Sequence, residues 1–204
     1  MDPNKRKISE YRSEQRKKKT IAVLEKRQPT LTLVLENIID THNISAVVRT
    51  CDAVGVLSIC LVYDGSQPFP KLGAKSSASA KKWIYQKKYT SIVDCYSDLR
   101  NEGKKIYSTD IHSQAVSLYE LDLTEPVALV FGNEHTGLSE KAVELADKNF
   151  RIPQFGMIES LNISVAAAVC LYESLRQRLL KGMLDSPQLT EEQLSIYLEE
   201  WLSK

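Results

Sequence analysis

Short apolar runs alternate along this chain with longer segments whose apolar residues recur at helical spacing. The runs predict buried strands, and the longer segments predict helices that bury one face. Strands are predicted at 30–38, 57–62, 83–89, 105–111, 126–132 and 150–153. Helices are predicted at 5–28, 44–54, 91–103, 138–148, 162–182 and 190–202. This alternation predicts the α/β class, with a mainly parallel sheet flanked by helices.

The two ends of the chain extend this α/β core. Residues 1–29 predict a basic N-terminal helical extension, 30–182 predict the α/β domain, and 183–204 predict a C-terminal helix. Thr190 and Gln193 form a capping box that begins this last helix. One face of the helix is apolar, so it must be buried against the body of the protein or a second subunit. The apolar face consists of Leu194, Tyr197, Leu198 and Trp201.

The net charge of +1 conceals an uneven distribution of charge along the chain. The first 30 residues contain ten Lys or Arg and four acidic residues, a net +6, which leaves −5 for the remaining 174. A second basic stretch runs from Lys71 to Lys105. Basic blocks on a nearly neutral body are typical of proteins that bind a polyanion such as RNA, although a solvated helix face has the same composition.

Composition narrows the class of protein. A length of 204 residues, 43% apolar and 26% charged, indicates one folded domain with appendages. The longest apolar run, 165–172, is too short to cross a bilayer, and the first residues lack the apolar region of a secretory signal. The four cysteines are far apart and form no C-x-x-C pair, so neither a disulfide framework nor a metal site is expected. These features predict a cytoplasmic protein without a metal.

Familiar catalytic motifs are absent, but two segments carry unexpected polar residues. No G-x-G-x-x-G follows a strand, and no G-x-S-x-G or H-E-x-x-H occurs. The segment NISAVVRTCDAVGV, 43–56, predicts a packed helix with Asn43 as its cap, yet it contains Arg49, which either reaches solvent or meets an anion such as phosphate. VFGNEHTGLS, 130–139, places Glu134 in a loop beyond a strand, either as a plain exposed acid or where parallel sheets bind ligands.

A third segment, RIPQFGMIESLNISVAAA at 151–168, joins a predicted strand to an alanine-rich helix. Ser160 and Asn162 precede that helix, either as caps or as groups that bind a ligand. Each of the three segments taken alone has an ordinary structural explanation. Their joint occurrence in this order favours a functional site.

Together the three segments resemble SPOUT-class RNA 2′-O-ribose methyltransferases, most closely the TrmH branch, which methylates guanosine 18 in the tRNA D loop. Residues 43–55 resemble the family motif N-x-S-A-x-x-R-T-x-D-A-x-G, and residues 131–137 resemble F-G-x-E-x-x-G. Residues 152–168 resemble I-P-x-x-G-M-x-x-S-L-N-V-S-V-A-A-A, with Ile163 in place of Val. The resemblance covers roughly 20–204.

The resemblance implies a C-terminal trefoil knot, S-adenosylmethionine as the methyl donor, and a homodimer with its active site at the subunit interface. The loops of the knot would be 108–112, 130–137 and 150–164, which would hold the donor mainly through backbone groups. Carried over position by position, the cofactor-binding residues would be Thr109, Phe131, Gly132, Gly137, Ile152, Pro153, Met157, Ser160, Leu161 and Asn162.

The implied reaction is an in-line displacement in which a ribose 2′-oxygen attacks the sulfonium methyl group. By resemblance, Arg49, Asn43 and Glu134 would be the catalytic residues. Because a guanidinium stays protonated, Arg49 would clamp the phosphate and stabilise the developing alkoxide rather than act as a base. Asn43 would orient Arg49 or the ribose, and Glu134 would position an arginine or a substrate amine.

The implied substrate is tRNA, bound by basic side chains and by the third motif. The substrate-binding residues would be Ser160, Asn162, Lys17, Lys18, Lys19, Arg27, Lys81 and Lys82. His135 stands where related enzymes often have Lys, so one substrate contact would change with pH. The 74–83 loop lacks the Gly-Gly and His of some relatives.

Two other functions remain open from the sequence. One keeps the chemistry and places it on a ribosomal RNA or anticodon-loop ribose. The other is a catalytically silent RNA-binding protein with the same fold. The basic N-terminal helix and the C-terminal helix favour the D-loop enzyme, and the presence of Arg49, Asn43 and Glu134 argues against a silent protein. No protein partner other than a second copy, and no membrane, is implied.

Overall fold

The computed structural model describes residues 3–65, 68–70, 80–110 and 115–204, with side chains from residue 13 onward. The helices are α1 (Pro3–Leu24), α2 (Thr41–Val54), α3 (Ile92–Asn101), α4 (Glu140–Glu144), α5 (Ile163–Leu180) and α6 (Glu191–Ser203). The strands are β1 (Gln28–Glu36), β2 (Val56–Val62), β3 (Tyr85–Tyr89), β4 (Lys105–Thr109), β5 (Val116–Ser117), β6 (Val127–Phe131) and β7 (Lys148–Arg151).

The described strands form one seven-stranded sheet in the order β3-β2-β1-β6-β4-β7-β5. Every pairing between neighbours is parallel, including the central β1–β6 pair, in which Leu33 lies opposite Leu129. The α/β class and the parallel sheet are therefore confirmed. The two-residue β5 was not predicted from the sequence, because so short a segment carries no periodicity.

Each face of the sheet has its own apolar core. Leu33 and Leu35 of β1 belong to the core that α2 and α5 cover, whereas Val34 belongs to the core that α3 and α4 cover. Alternate residues of a strand point to opposite faces, so a strand buried on both sides is apolar throughout. This explains why residues 33–35 and 127–131 are continuous apolar runs.

Several predicted helix boundaries were wrong. The first helix ends at Leu24 rather than at residue 28, because Gln28 already belongs to β1. Asp40 caps α2, rather than Asn43, and its carboxylate accepts a hydrogen bond from the backbone amide of His42 at 2.8 Å. The predicted helix 138–148 is only the five-residue α4. Asp147 leaves the helix because its backbone amide donates to Ile106 at 2.8 Å and its carboxylate accepts from the amide of Ile106 at 2.7 Å. The helix therefore ends early, and the chain pairs with the edge of β4 as strand β7.

The apolar face of α6 packs on the same chain, with Trp201 buried and Leu194, Tyr197 and Leu198 half-buried. The capping box of Thr190 and Gln193 is present, and α6 packs against α1. Trp201 is buried and packs on Trp83 with ring centroids 5.0 Å apart, while Tyr197 packs on Tyr85 at 5.2 Å. Among the described residues, no helix combines the length and hydrophobicity that crossing a membrane requires.

Candidate active site at the carboxyl edge of the sheet

Three of the sequence motifs meet beyond the carboxyl ends of the strands. The chain runs from β1 into the start of α2, from β6 into the loop 132–139, and from β7 into the loop that precedes α5. Because β1, β6, β4 and β7 are adjacent and parallel, these loops leave the same edge of the sheet. Crevices at this edge are where open α/β sheets bind ligands.

Asn43, Glu134 and Asn162 form a hydrogen-bonded cluster that joins the three motifs. The side-chain amide of Asn43 donates to Glu134 Oε1 at 2.6 Å. Asn162 Nδ2 donates to Asn43 Oδ1 at 3.1 Å. We refer to these three residues as the motif cluster. Its members are exposed or half-buried, so their remaining donors and acceptors are open to a ligand.

The loop that carries Glu134 is held in one shape by Asn133. Asn133 Oδ1 accepts from the backbone amides of His135 at 2.8 Å and Thr136 at 3.2 Å, and its Nδ2 donates to the carbonyl of Asn37 at 2.8 Å. The backbones of Asn133 and Gly137 also bond each other, at 3.0 and 2.9 Å. The loop therefore presents Glu134 on a rigid turn.

The two glycines of the second motif have steric reasons for their positions. A Cβ atom on Gly132 would overlap the backbone of Gly137 and the amide nitrogen of Leu138. Gly137 itself has a φ of 70°, in the left-handed region that favours glycine. The backbone of Gly132 therefore packs directly against that of Gly137, and the tight turn between them carries Glu134.

Glu36 supports the same loop from beneath. Glu36 is buried, and its two carboxylate oxygens accept from the backbone amide and the hydroxyl of Ser139, each at 2.8 Å. Ser139 in turn caps α4. Sequence analysis missed Glu36, and the only signal available was an acidic residue at the end of an apolar strand. Its role is to fasten the end of the loop to β1.

Asn162 caps α5 and also joins the motif cluster. As the N-cap of α5, its Oδ1 accepts from the amide of Ser164 at 2.9 Å and from the hydroxyl of Ser164 at 2.6 Å. The cap does not use Nδ2, which donates to Asn43 instead. The cap fixes the orientation of the side chain, and the partial positive charge of the α5 N-terminus lies next to the motif cluster.

The loop before α5 exposes an unusual amount of apolar surface. Phe155 is 99% exposed, Met157 is 100% exposed and Ile158 is 63% exposed. Ser160 is also exposed and has no hydrogen-bond partner in the described part of the chain. Gln154, by contrast, has a buried Oε1 that no described donor reaches. A loop with exposed apolar side chains and an unpaired buried acceptor is suited to cover a ligand or a second subunit.

The other predicted cofactor residues lie in the same region. Ile152, Pro153 and Leu161 are half-buried in the loop before α5, and Phe131 is buried at the end of β6. Thr109 is half-buried at the end of β4, where its hydroxyl donates to the carbonyl of Val130 at 3.0 Å. Residues 111–112 of the predicted loop 108–112, and 74–79 of the 74–83 loop, lie outside the described residues.

Arg49 is exposed on α2 and is not part of the motif cluster. Within the described residues it makes no hydrogen bond or ion pair. It follows Asn43 by six residues, which places it about 9 Å further along the helix and about 120° around it. The guanidinium therefore projects from the neighbouring, open face of the helix that carries Asn43.

The predicted RNA contact of Arg27 is wrong. Arg27 is 1% exposed, pairs with the carboxylate of Asp52 and donates to the carbonyl of Val56 at 2.9 Å. Its guanidinium also stacks on Trp201, 5.0 Å from the ring centroid. The basic run that suggested an RNA contact ends where the chain enters the core, so its last arginine is buried there.

The remaining basic residues predicted to bind RNA lie near the surface. Lys17, Lys18 and Lys19 are exposed on α1, Lys82 is exposed before β3, and Lys81 is half-buried. Within the part of the chain that the structure describes, no group of His, Cys, Asp and Glu side chains could hold a metal ion.

Sequence analysis assigned no role to Tyr63, which lies near Glu134 of the motif cluster. Its hydroxyl donates to the carbonyl of Ile38 at 2.7 Å. Burial, with a smaller contribution from the Glu134 carboxylate, raises the pKa of Tyr63 to about 12. The phenol therefore stays protonated at neutral pH and fixes the turn between β1 and α2.

Comparison with known proteins gives a consistent assignment. The family model described as "SpoU rRNA Methylase family" matches residues 30–172. The chain is 42% identical over 193 residues to a protein from Thermus thermophilus named tRNA (guanosine(18)-2'-O)-methyltransferase, covering 95% of this chain and 98% of that one.

Solved structures agree with this assignment. The crystal structure of the A. aeolicus TrmH/SpoU tRNA modifying enzyme superposes with a TM-score of 0.88 at 40% identity, covering 94% of this chain and 96% of that one. The SpoU methyltransferase AviRb from Streptomyces viridochromogenes, solved in complex with the cofactor AdoMet, gives a TM-score of 0.66 at 25% identity. That match covers 76% of this chain and 62% of AviRb. With its motifs gathered at one edge of the matching fold, the chain belongs to the SpoU methylase family.

Proposed function

We propose that this protein transfers a methyl group from S-adenosylmethionine to the ribose 2′-hydroxyl of guanosine 18 in tRNA. Family membership supports the chemistry, and the name of the Thermus thermophilus relative supports the substrate. The single observation that carries the proposal is the motif cluster. Asn43, Glu134 and Asn162 come from three separate segments of the chain and are hydrogen-bonded together at the ligand-binding edge.

The loops at this edge fit S-adenosylmethionine. The unpaired buried Oε1 of Gln154 is an acceptor suited to an amino group. The exposed apolar loop at 155–158 can cover an adenine or a methionyl chain, and the tight turn between Gly132 and Gly137 brings backbone groups to the same place. When bound, S-adenosylmethionine supplies an electrophilic methyl group on a sulfonium centre.

The residues of the chain have distinct tasks in this mechanism. Asn43 and Glu134 hold the ribose in line with the methyl group, because their mutual hydrogen bond leaves the second oxygen of Glu134 free to accept from the nucleotide. Arg49 clamps the adjacent phosphate, and its positive charge stabilises the alkoxide that forms as the 2′-hydroxyl loses its proton. The proton passes to the phosphate or to water, since the guanidinium is already protonated. Ser160 binds the substrate or the methionyl end.

A homodimer would complete the site. Val165, Tyr172 and Leu179 are 47%, 54% and 55% exposed, and their spacing of seven places them on one face of α5. The opposite face of α5 packs on α2. The exposed Phe155 and Met157 precede this same helix, so a second copy of the chain can bury the face and the loop together.

The domain organisation follows the same scheme. Residues 30–182 form the catalytic domain, in which the segment ending in α5 closes the trefoil knot of the family. The basic helical extension, predicted over residues 1–29, ends at Leu24, and residues 183–204 contribute the C-terminal helix. The exposed Lys17, Lys18 and Lys19 of α1 bind the phosphates of the tRNA.

Mapping of the modified nucleotide tests the proposed function. The purified protein is incubated with unmodified tRNA and methyl-labelled S-adenosylmethionine, and the labelled nucleotide is located by nuclease digestion and mass spectrometry. We expect one 2′-O-methylguanosine at position 18. A tRNA with adenosine at position 18 and a ribosomal RNA fragment serve as controls. Labelling of another ribose, or of the ribosomal fragment alone, would replace the proposed substrate, and no transfer to any RNA would favour a silent RNA-binding protein.

A further inference from the structure

Arg27 and Trp201 form the centre of a buried contact that links four segments of the chain. The guanidinium of Arg27 lies over the indole of Trp201, with 5.0 Å between its central carbon and the ring centroid. Arg27 is 1% exposed and Trp201 is 2% exposed. One belongs to the segment after α1, and the other belongs to α6. We refer to this pair as the Arg27–Trp201 stack.

The edge of the Arg27 guanidinium is bound to the end of α2 and the start of β2. It pairs with the Asp52 carboxylate and donates to the carbonyl of Val56 at 2.9 Å. The neighbouring Gln28 donates to the carbonyl of Val54 at 2.5 Å. Gly55, at the end of α2, lies so close to the Lys26 carbonyl that a Cβ there would overlap it. The end of α2 is therefore fixed to the segment 26–28.

The Trp201 indole is bound to the other side of this contact. It packs on Trp83 with ring centroids 5.0 Å apart, and its N–H donates to the Tyr85 hydroxyl at 3.2 Å. The carbonyl of Trp201 accepts from Arg16 of α1 at 3.4 Å. The stack therefore connects α2 to α1, to the start of β3 and to α6.

The segments that meet here carry the basic surface of the protein. Lys17–Lys19 lie on the part of α1 that follows Arg16, and Lys81 and Lys82 precede Trp83. Lys204 follows Trp201, and its ammonium group donates to the carbonyl of Lys82 at 2.8 Å. A groove of about 420 Å³ opens between these segments and is lined by Lys81, Lys82, Ile84, Tyr85, Gln86, Glu200 and Lys204.

Arg49 lies on the same helix as Asp52, the residue that pairs with Arg27. Asp52, the partner of Arg27, follows Arg49 by three residues and is therefore its neighbour about one turn along α2. An apolar side chain could fill the space of Arg27, and burying a charge there is costly. A guanidinium, however, is the one side chain that pairs with a carboxylate through its edge and stacks on an indole through its face at the same time.

We propose that Arg27 and Trp201 are positioning residues, which hold the basic RNA-binding segments in fixed register with α2. A tRNA held on Lys17–Lys19 and Lys82 is then presented with its target ribose at Asn43 and Arg49. This inference rests on the proposed function. It assigns neither residue a contact with RNA or with S-adenosylmethionine, and it predicts that loss of the stack slows methyl transfer even when both substrates are bound.

The test compares variants of the stack in the full-length protein. Arg27→Lys keeps the charge but loses the planar edge and face, Trp201→Ala removes the stack, and Trp201→Phe keeps an aromatic face. Leu99→Ala is the matched control, because Leu99 is equally buried but belongs to the core on the α3 side of the sheet. For each variant we measure the melting temperature, the dissociation constants of tRNA and S-adenosylmethionine, and the single-turnover rate with both saturating.

We expect Arg27→Lys and Trp201→Ala to lower the saturated rate at least tenfold, with the dissociation constant of S-adenosylmethionine within twofold of the wild-type value. Trp201→Phe should recover most of the rate. Leu99→Ala should lower the melting temperature and leave the saturated rate within twofold. An unchanged rate in Arg27→Lys, or an equal loss in Leu99→Ala, would overturn the inference. Failure of the wild-type protein to methylate tRNA would instead overturn the proposed function.

Discussion

Two regions of the face covered by α2 and α5 differ in how they use their polar side chains. At the amino edge, the guanidinium of Arg178 is fully buried and makes five hydrogen bonds, to oxygens of Gln28, Thr30, Leu123 and Glu125. On the solvent side of α2, six residues beyond Asn43, Arg49 is exposed and has no partner among the described residues. Both arginines lie on helices that cover the same face of the sheet.

This difference separates stability from function. Arg178 uses its hydrogen-bonding capacity inside the fold, where it fixes the end of α5 to the segment 121–125. Burial lowers its pKa to about 10, so it is still protonated at neutral pH. Arg49 and Ser160 leave their hydrogen-bonding capacity unused among the described residues. Polar groups that the fold does not need are typical of a ligand site.

Replacing Arg178 should have the largest effect on stability. Arg178→Met leaves buried carbonyls without donors, so we expect a loss of about 3 to 5 kcal/mol in the free energy of unfolding. Denaturant unfolding measures it. Arg176→Met on the same helix is the control, since Arg176 is 59% exposed in its pair with Glu173 and its loss should cost far less stability. Equal losses in the two variants would contradict the assignment.

Replacing Arg49 should have the largest effect on catalysis. We expect Arg49→Ala to lower the methyl-transfer rate by about 100-fold or more, because a charge aimed at the developing alkoxide is lost. Its free energy of unfolding should change by no more than about 0.5 kcal/mol, since the side chain is exposed. Arg49→Lys should recover only part of the rate, because Lys lacks the bidentate geometry. A fully active Arg49→Ala protein would remove Arg49 from the mechanism.

Changing Glu134 should have an intermediate effect. Glu134→Gln keeps an oxygen that accepts from Asn43 and removes the negative charge, so we expect a loss of about tenfold in the transfer rate. Glu134→Ala also releases Asn43 and should cost about 100-fold. Single-turnover kinetics distinguishes the two variants. Glu140→Gln is the matched control. Glu140 is an exposed acidic residue of α4, and its replacement should leave the rate unchanged.

The smallest expected effect is on stability and concerns Glu102, which contacts neither Arg178 nor Arg49. Burial tends to raise the pKa of Glu102, but hydrogen bonds from Lys104 and Lys87 outweigh it and hold the pKa below its ordinary value of 4.5. A lowered pKa in the folded state stabilises the protein above pH 4.5, and this contribution disappears as the pH falls through the folded-state pKa. Glu102→Gln should therefore cost about 0.5 to 1 kcal/mol at pH 7 and progressively less as the pH falls through the folded-state pKa, measured by unfolding over a series of pH values.

Sequence patterns predicted the sheet because its central strands are buried on both faces. The apolar residues 33–35 of β1 and 127–131 of β6 favour a parallel sheet that helices cover on both sides. The end of α4 could not be predicted, since Ser139 and the residues after it favour a longer helix. The hydrogen bonds between Asp147 and Ile106 override that local preference. Asp40 replaced Asn43 as the cap of α2, and this leaves Asn43 available to the motif cluster.

The candidate site was predictable only where a motif carried the signal. Asn43, Glu134 and Asn162 were found through the resemblance, and the structure adds the hydrogen bonds that join them. Arg27 was assigned to RNA because it ends a basic run. Its partners Asp52 and Trp201 are distant in sequence, so no local pattern could reveal its burial. Gln154 and Tyr63 also carried no signal, because their importance depends on neighbours from other segments.

The most direct test of the central claim removes the attacking atom from the substrate. Two tRNAs are prepared that differ only at position 18, one with guanosine and the other with 2′-deoxyguanosine. Each is incubated with the wild-type protein and labelled S-adenosylmethionine under single-turnover conditions. The account predicts stoichiometric label in the first tRNA and none in the second, although both bind with similar affinity. Label in the deoxyguanosine tRNA would contradict it, because the methyl acceptor would then be a different atom.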